Sequence, residues 1–255
     1  MLPNSDLEPP GTSGGPLERT AGPRLVERTV ALIEVLICSD YPTQFALGTT
    51  FAMAGYTPFT RDGQLSVGYV VSLSLLDTAL LVGLILLCLR AHGERPRDLF
   101  LGDRPPLGEA VHGLPLALAA LLIGIGVLAA VQQFAPSLHT VLHNPLQQLI
   151  RRPRDAWLFA FVVVVAGGLR EEVQRAFLLH RFETWLGGSA VGLVITSAAF
   201  GGGHLLQGAD AAIATGVLGA FWGFIYLRRR SMVAPAVSHS GFNLLQIVQF
   251  LMLGR

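Results

Sequence analysis

The sequence predicts an all-α fold, a polytopic bundle of transmembrane helices, on two observations. Of the 255 residues, 51% are hydrophobic and only 14% are charged, which is typical of a chain that buries most of its length in apolar surroundings. The apolar residues also form about seven stretches, each near the roughly 20 residues that a helix needs to cross a bilayer core. We therefore expect about seven spans, and the soft boundaries of the stretches allow roughly six to eight.

The first stretch is the least regular, because Glu34, Asp40 and Pro42 interrupt it. Proline removes a backbone donor, so we expect a break there. The second stretch carries Asp77, and Asp155 is expected to cap the fourth helix. The stretches are expected at about 28–55, 67–91, 109–134, 155–183, 189–205, 209–227 and 233–253, with a short interfacial helix at 146–152.

Residues 1–24 differ from the rest of the chain, since they are rich in Pro, Gly, Ser and charge and have no apolar stretch. They lack the apolar region of a signal peptide and are predicted to be a disordered tail. Residues 25–255 are predicted to form one transmembrane helical domain. Cys38 and Cys88 lie in different apolar segments without metal-type spacing, which argues against a disulfide framework.

The charge of the chain excludes one class of partner and hints at the source. A net charge of +1 provides no basic surface for nucleic acid, so the bilayer is the expected surrounding. All 18 basic residues are Arg, a bias typical of GC-rich bacterial genomes. We therefore expect an integral protein of a bacterial inner membrane.

Six ionisable residues lie inside the apolar second half, where a charge is costly and needs a partner or a function. They are Arg170, Glu171, Glu172, Arg175, His204 and His239. Arg175 lies four residues after Glu171 and three after Glu172, so on a helix it can pair with either acid. The other acid is then left for proton transfer. Simple solvation at the membrane surface is the alternative, and the apolar runs on both sides of the cluster argue against it.

Two histidines extend the candidate site. His204 follows three glycines, 201–203, which let a backbone bend or approach closely. His239 and Asn243 are four residues apart and share one face of the last helix. Each histidine taken singly is typical of an interhelical hydrogen bond. Together with the acid pair, they form a His, His, Glu set with an Asn beside it.

This set supports hydrolysis of an amide bond by activated water in two ways. Glu171, His204 and His239 have the composition of a catalytic zinc site. Alternatively, and without metal, a Glu takes the proton from water while His and Asn hold the oxyanion. The sequence leaves both open. It contains no H-E-x-x-H helix, and its one G-x-S-x-G string, residues 11–15, lies in the predicted disordered tail and not at a strand-to-helix turn, which argues against zincins and serine hydrolases.

These residues resemble the CPBP intramembrane proteases, also called the CAAX protease and bacteriocin-processing or Abi family. Its pattern is E-E-x-x-x-R, then F-x-x-x-H, then H-x-x-x-N. The second element matches Phe200 to His204 and the third matches His239 to Asn243, in the same order. The resemblance covers about residues 150–250. We expect the catalytic core in that region.

The first element, read here as R-E-E-V-Q-R, departs from the pattern by one residue. Alignment on Arg175 puts Arg170 at the first Glu of the family, whereas alignment on Glu171 and Glu172 shifts the arginine. The resemblance implies that the first Glu is the base, and we assign it to Glu171 with Glu172 or Arg170 as its partner. One residue turns a helix by about 100°, so we expect one of the two acids to aim inward.

The resemblance implies an intramembrane endopeptidase that cleaves a membrane-tethered protein or peptide, by CAAX-type or bacteriocin-type processing. The predicted catalytic residues are Glu171, Glu172, Arg175, His204, His239 and Asn243. A catalytically silent relative acting as a scaffold or immunity factor, and a small proton-linked transporter, are the alternatives. For the first hypothesis, we expect the His204 and His239 side chains to lie within about 10 Å of each other and of Glu171 or Glu172, a distance that allows one shared water or ion.

Overall fold

The structure, a computed structural model, describes residues 25–141 and 145–253, and every regular element in those ranges is helical. The tail predicted at 1–24 lies outside them. The all-α class is confirmed. The helices are α1 (Leu25–Ile37), α2 (Tyr41–Met53), α3 (Val67–Ala91), α4 (Pro96–Phe100), α5 (Pro106–Phe134), α6 (Pro153–Val162), α7 (Glu171–Trp185), α8 (Ser189–Gly202), α9 (Ala209–Arg229) and α10 (Val233–Leu253).

The expected count of about seven spans is not confirmed. Among the described residues, four helices are long and apolar enough to cross a membrane, namely α3, α5, α9 and α10. The pair α1 and α2 makes a fifth if its two halves form one bent span. Helix α8 is apolar but has only 14 residues, which is short for a bilayer core of about 30 Å.

The predicted break in the first stretch is present. Helices α1 and α2 meet at a bend of 45°. Asp40 there has a φ of 80°, a left-handed conformation that few residues other than glycine adopt. Pro42 lies in the first turn of α2, where a missing N–H needs no partner. The Asp40 carboxylate extends from the break to the Arg170 guanidinium, at 2.5 Å.

The fourth predicted helix is not a single α-helix. Between α6 and α7, residues Val163–Arg170 form a π-helix, called here the π segment. Its wider turn changes the angular position of the residues that follow, compared with an uninterrupted α-helix. The interfacial helix expected at 146–152 is instead a short 3₁₀ turn, Pro145–Leu149.

Helix α10 occupies the centre of the second half, packed between α5 and the π segment. Its approach to α5 is close, because a Cβ added to Gly113 would lie 2.8 Å from the Ala234 carbonyl oxygen. Helices α8 and α9 pack along each other, and α9 also contacts α5. Small residues at such contacts are the usual means of helix association in lipid.

A network of buried charges joins α1, α7 and the turn after α3. Arg181 is fully buried, and its guanidinium bonds Glu34 at 2.5 Å and Glu94 at 2.8 Å. His92 contacts the second oxygen of Glu34, and His180 contacts Glu94. Burial raises the pKa of Glu94, but hydrogen bonds from His180 and Arg181 outweigh it, so that pKa lies below its usual value.

Glu34→Gln is expected to destabilise the protein by about 3 kcal/mol, because it removes one partner of a buried arginine. The midpoint of thermal unfolding of the detergent-purified protein measures the effect. Glu183→Gln is the matched control, since it makes the same change in an ion pair with Arg230 that is largely exposed. That variant should cost less than about 1 kcal/mol. Equal losses for the two variants would contradict the prediction.

Candidate active site

Glu172, in the first turn of α7, is enclosed by partners. Its side chain is 1% exposed. It accepts a hydrogen bond from Arg175 Nε at 3.1 Å and pairs with His239 Nδ1 at 2.9 Å. Arg175 in turn donates to the Gly219 carbonyl. Glu172 is therefore tied to both a cation and an imidazole, and it contributes to the site by holding them.

His239, on α10, is held at one face of its ring and at Nδ1. Its ring stacks on Trp222, with centroids 3.7 Å apart and planes inclined by 16°. The Trp222 indole N–H donates to Ser238 Oγ, which holds the indole in turn. Since the Glu172 carboxylate accepts from Nδ1, the imidazole presents Nε2 to the remaining side. That nitrogen lies 3.6 Å from Glu171 Oε2.

Glu171 lies at the wall of a cavity of about 610 Å³ in the second half of the bundle. His204, His239 and Asn243 line the same cavity, whereas Glu172 and Arg175 are not among its described lining residues. We expected one of the two acids to aim inward. Both contact His239, at opposite nitrogens, and Glu171 is the one that also faces the cavity.

His204 follows the end of α8, where the helix terminates at Gly202, slightly before the predicted residue 205. Its Nδ1 donates a hydrogen bond to the Phe200 carbonyl at 2.8 Å, so Nε2 is the ring nitrogen that this bond does not use. The Phe200 ring lies between the two histidines, with its centroid 4.9 Å from that of His204 and 5.9 Å from that of His239. The Arg175 guanidinium covers the same ring at 4.6 Å, a favourable cation–π contact.

Asn243 lies one turn beyond His239 on α10, where the π segment comes very close. A Cβ added to Gly168 would lie 1.9 Å from Ser240 Oγ, and one added to Gly167 would lie 2.8 Å from Asn243 Nδ2. Only glycine fits at Gly168 without movement of a backbone. These glycines set the distance between the acid-bearing chain and the helix that carries His239 and Asn243.

The two arginines of the first motif have different partners. Arg175 pairs with Glu172, three residues before it, which is the spacing that alignment on the acid pair gives. Arg170 lies at the end of the π segment, with Nη1 2.5 Å from Asp40 Oδ1 and 3.4 Å from Asp77 Oδ2. Both aspartates are far from Arg170 in the sequence.

Trp222 is part of the site but was not identified from the sequence. Its position on α9, three residues after Gly219 and one before Gly223, indicates close helix packing. Nothing local indicates that the indole faces a histidine on the next helix, because the contact joins two elements.

The predicted metal ligands do not form a metal site in the described residues. Glu171 and His239 face each other, but no group of three or more His, Cys, Asp or Glu side chains converges as an ion would require. The Nδ1 atoms of His204 and His239 are both engaged by protein oxygens. Zinc binding stays a prediction.

The fold and the site together define a helical integral membrane protein with a buried carboxylate and histidine cluster beside a cavity. Residues 153–245 match the family described as type II CAAX prenyl endopeptidase, Rce1-like. This match supports the CPBP and CAAX protease family predicted from the three motifs, and the matched segment contains all of them. No curated protein and no solved structure was found to match the chain.

Gly168→Ala is expected to destabilise the protein by about 1–3 kcal/mol, because a methyl group there overlaps Ser240 and forces α10 away. Thermal unfolding in detergent measures this change. Gly83→Ala is the matched control, since no atom lies within 4 Å of a Cβ added at that helical position. The control should be unchanged or slightly stabilised. A wild-type midpoint for Gly168→Ala would refute the close approach.

Proposed function

We propose that this protein is an intramembrane endopeptidase that hydrolyses a peptide bond in a membrane-tethered protein or peptide. The observation that supports it most is the meeting of Glu171 and His239 at the wall of a cavity that His204 and Asn243 also line. The cavity volume of about 610 Å³ suits an extended peptide segment or a ligand of drug size.

In the proposed mechanism, Glu171 is the general base. Its Oε2 takes a proton from a water in the cavity, and His239 Nε2 accepts a second hydrogen bond from that water. The resulting hydroxide attacks the carbonyl carbon of the scissile bond, and Glu171 returns the proton to the leaving amine. Glu172 acts behind the ring, where its carboxylate keeps Nδ1 of His239 protonated and the ring oriented.

The oxyanion of the tetrahedral intermediate needs hydrogen-bond donors aimed into the cavity. Asn243 supplies its amide N–H groups. His204 also lines the cavity, and because its Nδ1–H donates to the Phe200 carbonyl, its neutral ring presents Nε2 as a hydrogen-bond acceptor for a water or a substrate N–H. Arg175 serves as a positioning residue, because it holds Glu172 by an ion pair and lies over the Phe200 ring. No step requires a metal ion.

The substrate enters from the bilayer in this proposal. The cavity is lined both by apolar side chains such as Leu121, Phe159 and Phe242 and by polar ones such as Gln132 and Gln246. A peptide attached to a lipid or to an apolar segment combines both characters. The basic residues are all arginine, a bias that suits a bacterial protein and therefore a bacterial inner membrane. CAAX-type and bacteriocin-type processing are both candidate activities there.

Glu171→Gln should lower kcat/KM by about 10²–10⁴-fold, the usual contribution of a general base. The assay follows cleavage by the protein in lipid nanodiscs of two probes, a prenylated C-a-a-X peptide and a peptide tethered by one transmembrane helix. Glu183→Gln, the same change at the surface, should cleave at the wild-type rate. Normal cleavage by both Glu171→Ala and Glu172→Ala would refute the mechanism.

Asn243→Ala should lower kcat by about 10²-fold with little change in KM, because an oxyanion donor acts mainly in the transition state. Steady-state kinetics with the better of the two probes measures both constants. A rise in KM alone would mean that Asn243 binds substrate and does not stabilise the intermediate. Wild-type protein that folds but cleaves neither probe would favour the scaffold alternative.

A further inference from the structure

Arg170 connects the candidate base to the N-terminal third of the chain. Its side chain is 7% exposed. Nη1 lies 2.5 Å from Asp40 and 3.4 Å from Asp77, while Nη2 lies 3.5 Å from Glu171 Oε1. Asp40 and Asp77 lie outside residues 153–245, the segment that matches the protease family.

The charge arrangement around Arg170 differs from that of an ion pair that only balances charge. Arg229, at the C-terminal end of α9, and Glu109 form such a pair. There, two nitrogens of one guanidinium bond the two oxygens of one carboxylate. Arg170 instead faces three carboxylates. Two aspartates hold Nη1, so the Nη2 edge of the planar guanidinium is directed at Glu171.

The two oxygens of Glu171 have separate neighbours in this arrangement. Oε1 faces Arg170 Nη2 and Oε2 faces His239 Nε2. A free glutamate side chain samples several rotamers. A rotamer in which the oxygen points away from the water is unproductive and lowers the rate of catalysis. A fixed cation on one oxygen therefore keeps the other in the position where a base is needed.

The break between α1 and α2 is itself anchored, so it can bear on the site. The Gln44 amide donates to Asp40 Oδ2 at 2.7 Å. The neighbouring Tyr41 hydroxyl donates to the Ala199 carbonyl at 2.7 Å, one residue before Phe200. Two consecutive residues of the break thus contact the two segments that carry Glu171 and His204.

We propose that Asp40 and Asp77 form a clamp that acts through Arg170 to position Glu171 for catalysis. The clamp rests on the proposed function, since it takes Glu171 as the base. Asp40, Asp77 and Arg170 are positioning residues, because their contacts are with the base and not with the reacting atoms. The N-terminal third of the chain then contributes directly to the activity of the segment that matches the family.

The test compares the kinetics of isosteric variants in nanodiscs. Asp40→Asn and Asp77→Asn should each lower kcat by about 10-fold or more, the scale of a misplaced catalytic group, with KM within about 2-fold of wild type. Glu109→Gln is the matched control, because it also removes a buried carboxylate from an arginine. It should lower the unfolding midpoint but leave kcat and KM unchanged.

A double-mutant cycle shows whether Asp40 acts through Arg170. Asp40→Asn should cost about 10-fold in the wild-type background and close to nothing in an Arg170→Met background. If Arg170→Met does not fold, Arg170→Lys takes its place, since it keeps the charge but loses the planar fork that joins Asp40 to Glu171.

The outcomes separate the clamp from the proposed function. If Glu171→Gln is inactive while Asp40→Asn and Asp77→Asn keep the wild-type kcat per folded protein, the clamp is overturned and the base assignment stands. Independent, multiplicative losses for Asp40 and Arg170 also overturn it. If Glu171→Gln cleaves normally, the proposed function itself fails, and the clamp fails with it.

Discussion

The arrangement of the helices depends on the pairing of buried carboxylates with cations on other segments. Lipid offers no hydrophobic force that would select one helix neighbour over another, whereas an unpaired buried charge is strongly unfavourable. Each ion pair therefore selects a contact between particular elements. The pairs are Glu34 with Arg181, Asp40 and Asp77 with Arg170, and Glu109 with Arg229.

The candidate site uses the same principle over a shorter distance. Glu172 and Arg175 neutralise each other within one helical turn, and His239 bridges Glu172 to Glu171. Trp222 and Phe200 pack against the His239 ring. A low local dielectric strengthens each of these contacts and penalises any loss of a partner. The cluster therefore has few degrees of freedom, as catalysis by a positioned base requires.

The motifs could be predicted from the sequence because each is local. Glu171 with Glu172, Phe200 with His204, and His239 with Asn243 are separated by no more than four residues, and helix geometry decides which of them share a face. The all-α class and the protease family followed from hydropathy and these motifs. The contact of Asp40 with Arg170 could not, since it joins residues in separate spans. The π segment and the span count could not be predicted either, because hydropathy reports how apolar a stretch is and not where its helix is interrupted or ends.

Arg170 shows how a departure from a family pattern changes its meaning in three dimensions. Aligned on Arg175, the sequence has an arginine at the position of the base, which argues for a catalytically silent relative. In the fold, Arg175 pairs with Glu172 three residues before it, and Glu171 is the acid that faces the cavity. Arg170 lies one residue earlier, turned by about 100° from Glu171, and reaches Asp40 and Asp77. The displaced arginine therefore removes no acid from the cavity, and it adds a contact with the N-terminal third that the family pattern does not contain.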